Sequence, residues 1–206
     1  MHNLDEFIQS QSYEAIRLPI KDSEIVYYPN FLHLKTATTY YNALLNETHW
    51  QKDTITIFGK TYPQPRLTCL HGIKGRTYTY SGIEMKPHPF SQIHLKLLAE
   101  IKKVTSTEFT SVLLNLYRDG NDSNGWHSDD EKELGKNPSI ASISLGVKRF
   151  FHLKHKEDKN LTYKLSLDHG SLLLMMGPTQ HRWKHQLPKS KKVKEARINL
   201  TFRRIY

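Results

Sequence analysis

The chain contains a single cysteine, Cys69, and no long apolar run. One cysteine cannot form an intramolecular disulfide, which is typical of a protein from a reducing compartment. The longest wholly apolar stretch, residues 172–176, is far shorter than the roughly 20 residues that a membrane-spanning helix needs. The N-terminal residues MHNLDEFIQS lack the basic and apolar regions of a secretory signal, so we expect a protein that is not secreted.

Acidic residues are outnumbered by basic ones, 20 against 30, which gives a formal net charge of +10 and a pI near 9.5. Such an excess indicates a polyanionic partner such as nucleic acid, with a generally basic composition as the alternative explanation. The 206 residues are 37% hydrophobic and 24% charged, which is typical of a globular protein with a substantial core. We therefore expect a single domain over residues 1–206.

Hydrophobic periodicity predicts a mainly β chain with flanking helices, an α+β fold. Apolar residues at helical spacing predict helices at residues 31–46 and 90–103, after a short strand at residues 24–28. Residues 54–82 contain short strand-like pieces separated by proline and glycine. From residue 111 onward, short strands separated by turn residues predict a sandwich or jelly roll. The predicted strands there are SVLLNLY, SIASISLG, RFFHLKH, TYKLSLD, SLLLMMG and INLTFRRI.

Two short motifs contain a possible metal site. His127 and Asp129 form a His-x-Asp pair in GWHSDDE, and His185 follows much later in WKHQLP. Two imidazoles and one carboxylate leave up to three positions of an octahedral metal open, as in non-haem Fe(II) oxygenases. Because the chain has 12 histidines, one such pair also arises easily by chance. His181 lies in the same TQHRWKHQLP segment, and spacing alone cannot choose between His181 and His185.

The C-terminal stretch ARINLTFRRIY combines charge with strand-like alternation. If it is a strand, one face carries the polar residues Arg197, Asn199, Thr201 and Arg203. Two guanidinium groups side by side can grip a dicarboxylate, although a solvated edge strand is the alternative. An open iron site beside a dicarboxylate clamp predicts a 2-oxoglutarate-dependent oxygenase.

Taken together, these motifs resemble the AlkB family of iron- and 2-oxoglutarate-dependent nucleic-acid demethylases. The resemblance runs from about residue 56 to residue 206 and is closest to the homologues that repair double-stranded DNA; residues 1–50 contribute nothing to it. It is carried by FGK, TYTYSG, NLYRDG, WHSDDE, SIASISLG, HGSLLLMMG and RINLTFRR. The implied fold is a double-stranded β-helix, or jelly roll.

The resemblance also implies roles for the residues that hold the metal and the co-substrate. The iron ligands would be His127, Asp129 and His185, which favours His185 over His181. Asn115 and Tyr117 would hydrogen-bond 2-oxoglutarate. Arg197 would hold the distal carboxylate, and the keto-acid end would be supported by Asn199 and Arg203.

The substrate-binding residues expected from the resemblance are Phe58, Arg66, Tyr78, Tyr80, Ser81 and Glu131. Phe58 would wedge into the base stack, although burial in the core is the commoner fate of phenylalanine. Tyr80 stands where related proteins carry phenylalanine or tryptophan, and would stack on the flipped base. Glu131 would accept the exocyclic amine, with an ordinary solvated acid as the alternative. Phosphate contacts would come from Arg66, Lys148, Arg149, Lys154, Lys156 and the basic run at residues 189–194.

The predicted activity is oxidative demethylation of 1-methyladenine and 3-methylcytosine in DNA. It would use Fe(II), O2 and 2-oxoglutarate and release formaldehyde, succinate and CO2. The same chemistry on RNA or tRNA, and a metal-dependent hydrolase, are the alternatives. We expect N-terminal helices and a nucleotide-recognition lid in residues 1–104, with the lid at about 54–82, and a catalytic core in residues 105–206. We also expect a monomer located with the genome, in the bacterial cytoplasm or the eukaryotic nucleus.

Overall fold

The computed structural model describes residues 1–9, 15–57, 60–73, 78–80 and 83–206, and gives the backbone alone at 55–57, 78–80 and 83–85. None of the helices within those ranges has the length and apolar character required to span a bilayer. The helices are α1 (Asp5–Gln9), α2 (Leu34–Glu47), α3 (Gln92–Ile101) and α4 (Thr179–Arg182), with one 3₁₀ turn at Lys132–Leu134.

The strands in the first half are β1 (His2–Asn3), β2 (Ile16–Arg17), β3 (Glu24–Tyr28), β4 (Thr54–Ile57), β5 (Lys60–Pro63), β6 (Leu67–Gly72), β7 (Tyr78–Tyr80) and β8 (Ile83–Met85). Those in the second half are β9 (Ser111–Tyr117), β10 (Asn124–His127), β11 (Ile140–Gly146), β12 (Arg149–His155), β13 (Thr162–Leu167), β14 (Ser171–Met176), β15 (Trp183–Leu187) and β16 (Arg197–Arg203).

Two sheets face each other. The smaller has the strand order β1-β13-β12-β15-β10, and the larger has the order β2-β3-β14-β11-β16-β9-β6. Strands β4 and β5 form a separate hairpin, as do β7 and β8. Many neighbouring strands are therefore distant in sequence. The fold brings these distant segments together in one interior between the sheets.

Two apolar clusters lie on opposite sides of the larger sheet. One fills the space between the sheets and includes Leu153, Trp183 and Leu173. The other packs Ala37 of α2 and Leu97 of α3 against the outer face of the larger sheet. Strand β16 serves both sides, because its residues alternate between the helix layer and the space between the sheets.

The prediction of a mainly β jelly roll with flanking helices is confirmed. The predicted helices and the strands β3, β9 and β11–β14 are present with ends shifted by a few residues at most. The alternative of a solvated edge strand at the C-terminal end of the chain is wrong, because β16 lies between β11 and β9 and is buried throughout. The sequence prediction missed β10 and β15. Strand β10 is short and its pairing with β15 is irregular. Strand β15 alternates in burial, but its central buried residue is the polar His185, so the sequence shows no apolar alternation there.

Candidate active site

The three candidate metal ligands come together at the open ends of two paired strands. His127 on β10 lies directly opposite His185 on β15 in the register of the smaller sheet. Asp129 follows β10 by two residues. One ligand atom from each residue lies within 4.8 Å of the others, and the two imidazole rings are 4.2 Å apart between centroids. His181 lies outside this cluster and accepts a hydrogen bond from the backbone N–H of Asn137 at 3.0 Å.

The protonation states of the cluster suit a divalent metal. His127 donates from Nδ1 to the carbonyl of Gly125 at 2.8 Å, which leaves the Nε2 lone pair to face the cluster. Burial lowers the pKa of His127, and burial together with the nearby His127 lowers the pKa of His185 to about 3. Burial alone would raise the pKa of Asp129, but the charge of Arg203 and the two imidazoles outweigh it and lower the pKa to about 2. At neutral pH the site therefore offers two neutral imidazoles and one carboxylate.

Asp129 is held on both its side chain and its backbone. Arg203 on β16 donates from Nη2 to Asp129 Oδ1 at 2.9 Å. The backbone N–H of Asp129 donates to the Oε1 atom of Gln180, a fully buried residue of α4, at 2.9 Å. Sequence reasoning did not identify Gln180, because the contact joins residues 51 positions apart and no motif contains both.

The polar face of β16 points into the same interior. Arg197 donates from Nη2 to Ser144 Oγ at 2.9 Å, while its buried Nε atom has no hydrogen-bond partner within the described part of the chain. Burial lowers the pKa of Arg197 to about 10, so the guanidinium stays charged at neutral pH. Asn199 is already engaged, since Nδ2 donates to Ser142 Oγ and Oδ1 accepts from Thr201 Oγ1. Arg197 therefore has a buried donor that is available to an anion.

Strand β9 adds the two residues expected to contact the co-substrate. Asn115 and Tyr117 lie opposite Asn199 and Arg197 in the sheet register. Arg66 donates from Nε to Asn115 Oδ1 at 2.8 Å. The Tyr117 ring centroid is 5.5 Å from the guanidinium carbon of Arg197. The side chains of Asn115, Tyr117, Arg197, Asn199 and Arg203 therefore line one pocket with the candidate metal ligands.

Two arginines expected at the nucleic-acid surface are buried instead. Arg66 is only 4% exposed and Arg149 only 2%, so the predicted phosphate contacts of these two side chains are wrong. Arg66 bonds Asn115, which lines the pocket, and its charge contributes to the lowered pKa of His127. Sequence composition could not reveal this, because an arginine that bonds polar groups in the interior looks the same in sequence as one on the surface.

The expected substrate contacts are only partly within the described structure. Phe58 and Ser81 lie outside the described residues. Tyr78 and Tyr80 are the first and last residues of β7, whose backbone pairs with β8. Glu131 is partly buried and immediately precedes the 3₁₀ turn, two residues after Asp129. Glu131 is therefore close along the chain to the ligand Asp129, and the roles of all five residues remain predictions.

The donor set fits ferrous iron, and the unused Arg197 Nε fits a carboxylate. Imidazole and carboxylate ligands with open positions are the combination that non-haem Fe(II) oxygenases use. Phe151 packs against His185 with ring centroids 5.2 Å apart and planes inclined by 28°, which gives the site an apolar wall. This contact was not predicted, because Phe151 is one of several apolar residues on β12 and only the fold shows which lies against His185.

The fold and this site define a class of oxygenase. The family model described as 2OG-Fe(II) oxygenase superfamily matches residues 24–203, and the chain belongs to this superfamily. It is an Fe(II)- and 2-oxoglutarate-dependent dioxygenase that uses O2. The alternative of a metal-dependent hydrolase is wrong. Within the superfamily, the chain is a member of the AlkB family.

Two relatives establish the AlkB assignment. Alpha-ketoglutarate-dependent dioxygenase alkB homolog 3 of Bos taurus is 41% identical over 203 residues, covering 94% of this chain and 70% of the relative. DNA oxidative demethylase ALKBH2 of Homo sapiens is 40% identical over 158 residues, covering 73% of this chain and 60% of the relative. The recognised similarity therefore extends upstream of residue 56, where the sequence motifs placed its start.

Solved structures support the fold independently. The structure of OsALKBH1 superimposes with a TM-score of 0.67 at 16% identity and covers 92% of this chain and 99% of that chain. A 2OG-Fe(II) oxygenase family oxidoreductase from Burkholderia pseudomallei superimposes with a TM-score of 0.60 at 14% identity, covering 87% and 84%. At such low identities the similarity concerns the fold alone.

Proposed function

We propose that the chain is a DNA repair enzyme that demethylates N-alkylated bases of the 1-methyladenine and 3-methylcytosine type. The relatives described above include proteins named DNA oxidative demethylase. The net charge of +10 favours a polyanionic substrate. DNA would be the partner, single- or double-stranded, and the enzyme would act as a monomer near the genome, in the nucleoid or the nucleus.

The single observation that carries the proposal is the shared pocket of a His-Asp-His cluster and a buried arginine with an unpaired Nε. His127, Asp129 and His185 would ligate iron. Arg197 would bind the distal carboxylate of 2-oxoglutarate through its free donor. Asn115 and Tyr117 would hydrogen-bond the co-substrate, and Asn199 would hold the strand geometry rather than contact the ligand directly, because its amide is already engaged.

Bound iron, O2 and 2-oxoglutarate would supply the oxidation of the N-methyl carbon, which leaves as formaldehyde while 2-oxoglutarate yields succinate and CO2. The residues of the chain would orient the metal and the substrate and exclude water. Arg203 keeps Asp129 ionised, so the carboxylate is ready to bind metal. Phe151, which packs against His185, would form an apolar wall that limits the access of water. The chemistry belongs to the cofactor, and the protein sets where it acts.

The substrate side of the proposal concerns residues 54–82, which we propose as a nucleotide-recognition lid over a core formed by residues 105–206. A methyl group on N1 of adenine or N3 of cytosine leaves the base cationic, so an aromatic face and a carboxylate are suitable partners. Tyr80 would stack on the extruded base and Glu131 would accept its exocyclic amine. Tyr78 and Ser81 would complete the lid, and Phe58 would fill the gap in the duplex.

The test is mass spectrometry of oligonucleotides that each carry one methylated base. DNA in single- and double-stranded form, and RNA of the same sequence, would be incubated with enzyme, Fe(II), 2-oxoglutarate and O2. Loss of one methyl group from DNA, dependent on 2-oxoglutarate, is the expected result. Demethylation of RNA but not of DNA would show that RNA is the substrate. Succinate formation without demethylation of any oligonucleotide would overturn the nucleic-acid assignment while leaving the oxygenase class intact.

A further inference from the structure

Arg149, the first residue of β12, is a buried cation bonded to the main chain. Its Nη1 donates to the carbonyl of Asp119 at 3.0 Å. Its Nη2 donates to the carbonyls of Asp122 at 3.0 Å and Pro188 at 2.7 Å. Within the described chain no carboxylate oxygen forms a salt bridge with it. The charge is offset by these carbonyl dipoles and by the nearby acidic groups of Asp119 and Asp122, and burying a charge without a direct ion pair is costly.

The three carbonyls belong to two segments that flank the active site. Asp119 and Asp122 lie in the loop that joins β9 to β10, and β10 ends at His127. Pro188 directly follows β15, which carries His185. The same two segments are also joined by backbone bonds from Gly120 to Val193 and from Ser190 to Gly120. One guanidinium thus ties the chain before His127 to the chain after His185.

Arg149 also reaches the proposed co-substrate pocket through Tyr117. The Tyr117 ring centroid lies 5.9 Å from the guanidinium carbon of Arg149 and 5.5 Å from that of Arg197. The ring is therefore in contact with two buried arginines. Both contacts are within the range of cation–π attraction, so the position of Tyr117 depends on Arg149 as well as on Arg197.

We propose that Arg149 is a positioning residue for 2-oxoglutarate: it holds Tyr117 through the ring contact and ties the β9–β10 loop to the segment after β15 through its three carbonyl contacts. The inference rests on the proposed pocket of Arg197 and Tyr117. The planar fork of arginine presents several N–H donors in fixed directions, whereas lysine offers one flexible ammonium group. A lysine at position 149 would keep the charge but leave one or more of the carbonyls of Asp119, Asp122 and Pro188 without this partner. Geometry, rather than charge alone, is therefore what Arg149 contributes.

The experiment compares 2-oxoglutarate binding in Arg149→Lys, Arg149→Gln and Arg118→Gln variants. Binding is measured anaerobically on the Fe(II)-loaded proteins by titration calorimetry, without nucleic acid. Arg118 is the matched control, because it bonds Asp122 in the same loop with its side chain 49% exposed. The affinity for an unmethylated oligonucleotide and the unfolding temperature of the metal-free protein are measured alongside.

We expect both Arg149 variants to bind 2-oxoglutarate at least about tenfold more weakly, because the loss of the carbonyl contacts shifts the loop that positions Tyr117. The Arg118→Gln variant should bind it like the original protein, and oligonucleotide affinity should change by less than about twofold in all three. Unchanged 2-oxoglutarate affinity in Arg149→Lys would overturn the proposal. Equal losses of both affinities, with a lower unfolding temperature, would also overturn it by assigning Arg149 a purely structural role. A failure of the pocket itself is distinguishable, because Arg197→Ala would then leave 2-oxoglutarate binding unchanged.

Discussion

Arg203 and Asp129 form a buried ion pair that joins β16, an inner strand of the larger sheet, to the candidate metal cluster. The 2.9 Å bond between Arg203 Nη2 and Asp129 Oδ1 links residues 74 positions apart, and both side chains are almost fully inaccessible. The pair lets a carboxylate remain ionised inside the protein, which a metal ligand requires.

We expect the Arg203→Gln variant of the metal-free protein to lose about 3–5 kcal/mol of unfolding free energy, because Asp129 is left buried without its partner. Urea unfolding followed by circular dichroism measures the loss. The double variant Arg203→Gln with Asp129→Asn should be less destabilised than the sum of the two single variants. Strict additivity would show that the two side chains do not stabilise each other. Arg182→Gln, which removes an exposed pair with Glu157, serves as the control and should change stability little.

We predict that Asp129→Ala abolishes demethylation, since it removes the only anionic protein ligand of the proposed iron site. The structure adds that this change also destabilises the metal-free protein, because Arg203 loses its partner. Asp129→Asn keeps the shape of the side chain and therefore isolates the effect of its negative charge. Turnover is measured by formaldehyde release, and iron retention by metal analysis after desalting. Asp129→Ala activity within about tenfold of the original would contradict the ligand assignment.

The Arg197→Ala variant should raise the Michaelis constant for 2-oxoglutarate by more than about tenfold, because a buried carboxylate would lose a charged hydrogen-bond partner. The Michaelis constant for the oligonucleotide should change much less. Arg204→Ala is the matched control, since Arg204 is exposed, follows β16 directly and stacks on Tyr206. Steady-state kinetics with varied 2-oxoglutarate make the comparison. Equal constants in both variants would place the carboxylate clamp elsewhere.

Phe58→Ala tests whether the enzyme acts on duplex DNA. If Phe58 fills the gap left by a flipped base, its loss should lower activity on a methylated duplex by at least about tenfold and spare the same lesion in a single strand. If Phe58 is a core residue, the cavity should instead destabilise the protein by roughly 3–5 kcal/mol. Activity on both strand forms and the unfolding temperature are measured together. Equal losses with lowered stability would reject the wedge.

A buried histidine away from the site predicts a pH dependence of stability. Burial and the nearby His71 lower the pKa of His94 in α3 to about 3. Below the unfolded pKa of 6.5, the unfolded chain binds a proton that the folded protein does not, so stability falls as the pH drops from about 6.5 toward about 3. His94→Gln should reduce this slope, because glutamine does not titrate in this pH range. Glutamine can still accept the bond from the Ser91 backbone N–H, so the start of the helix is kept. Urea unfolding from pH 7 to pH 4 measures it. The exposed His2→Gln change is the control, and equal slopes in both variants would contradict the prediction.

The sequence predicted the parts of the site that follow local rules. The alternation along β16 correctly separates the polar face of Arg197 and Arg203 from the apolar face that meets the helices. Strand register then explains why Asn115 lies opposite Asn199. The alternation needs only a period of two, so a single sequence contains it, whereas the register between β9 and β16 comes from the fold.

Other parts of the site depend on contacts between distant segments. Neither Gln180 nor Phe151 belongs to a motif with the ligands that they contact, and only the fold brings them together. Arg149 was predicted on the surface because its charge outweighs any local signal of burial. Its three acceptors are main-chain carbonyls, and a carbonyl is present at every residue, so sequence cannot identify them.

The two halves of the active site lie on strands whose backbone amides are unequally protected from exchange with solvent. Arg197 and Asn199 belong to β16, which is paired on both sides, whereas His127 belongs to β10, the last strand of its sheet as described. Local opening begins where fewest backbone bonds must break. Amide hydrogens of β10 should therefore exchange with solvent much faster than those of β16. The metal would then leave through transient fraying at His127, while the co-substrate pocket persists until the whole domain unfolds.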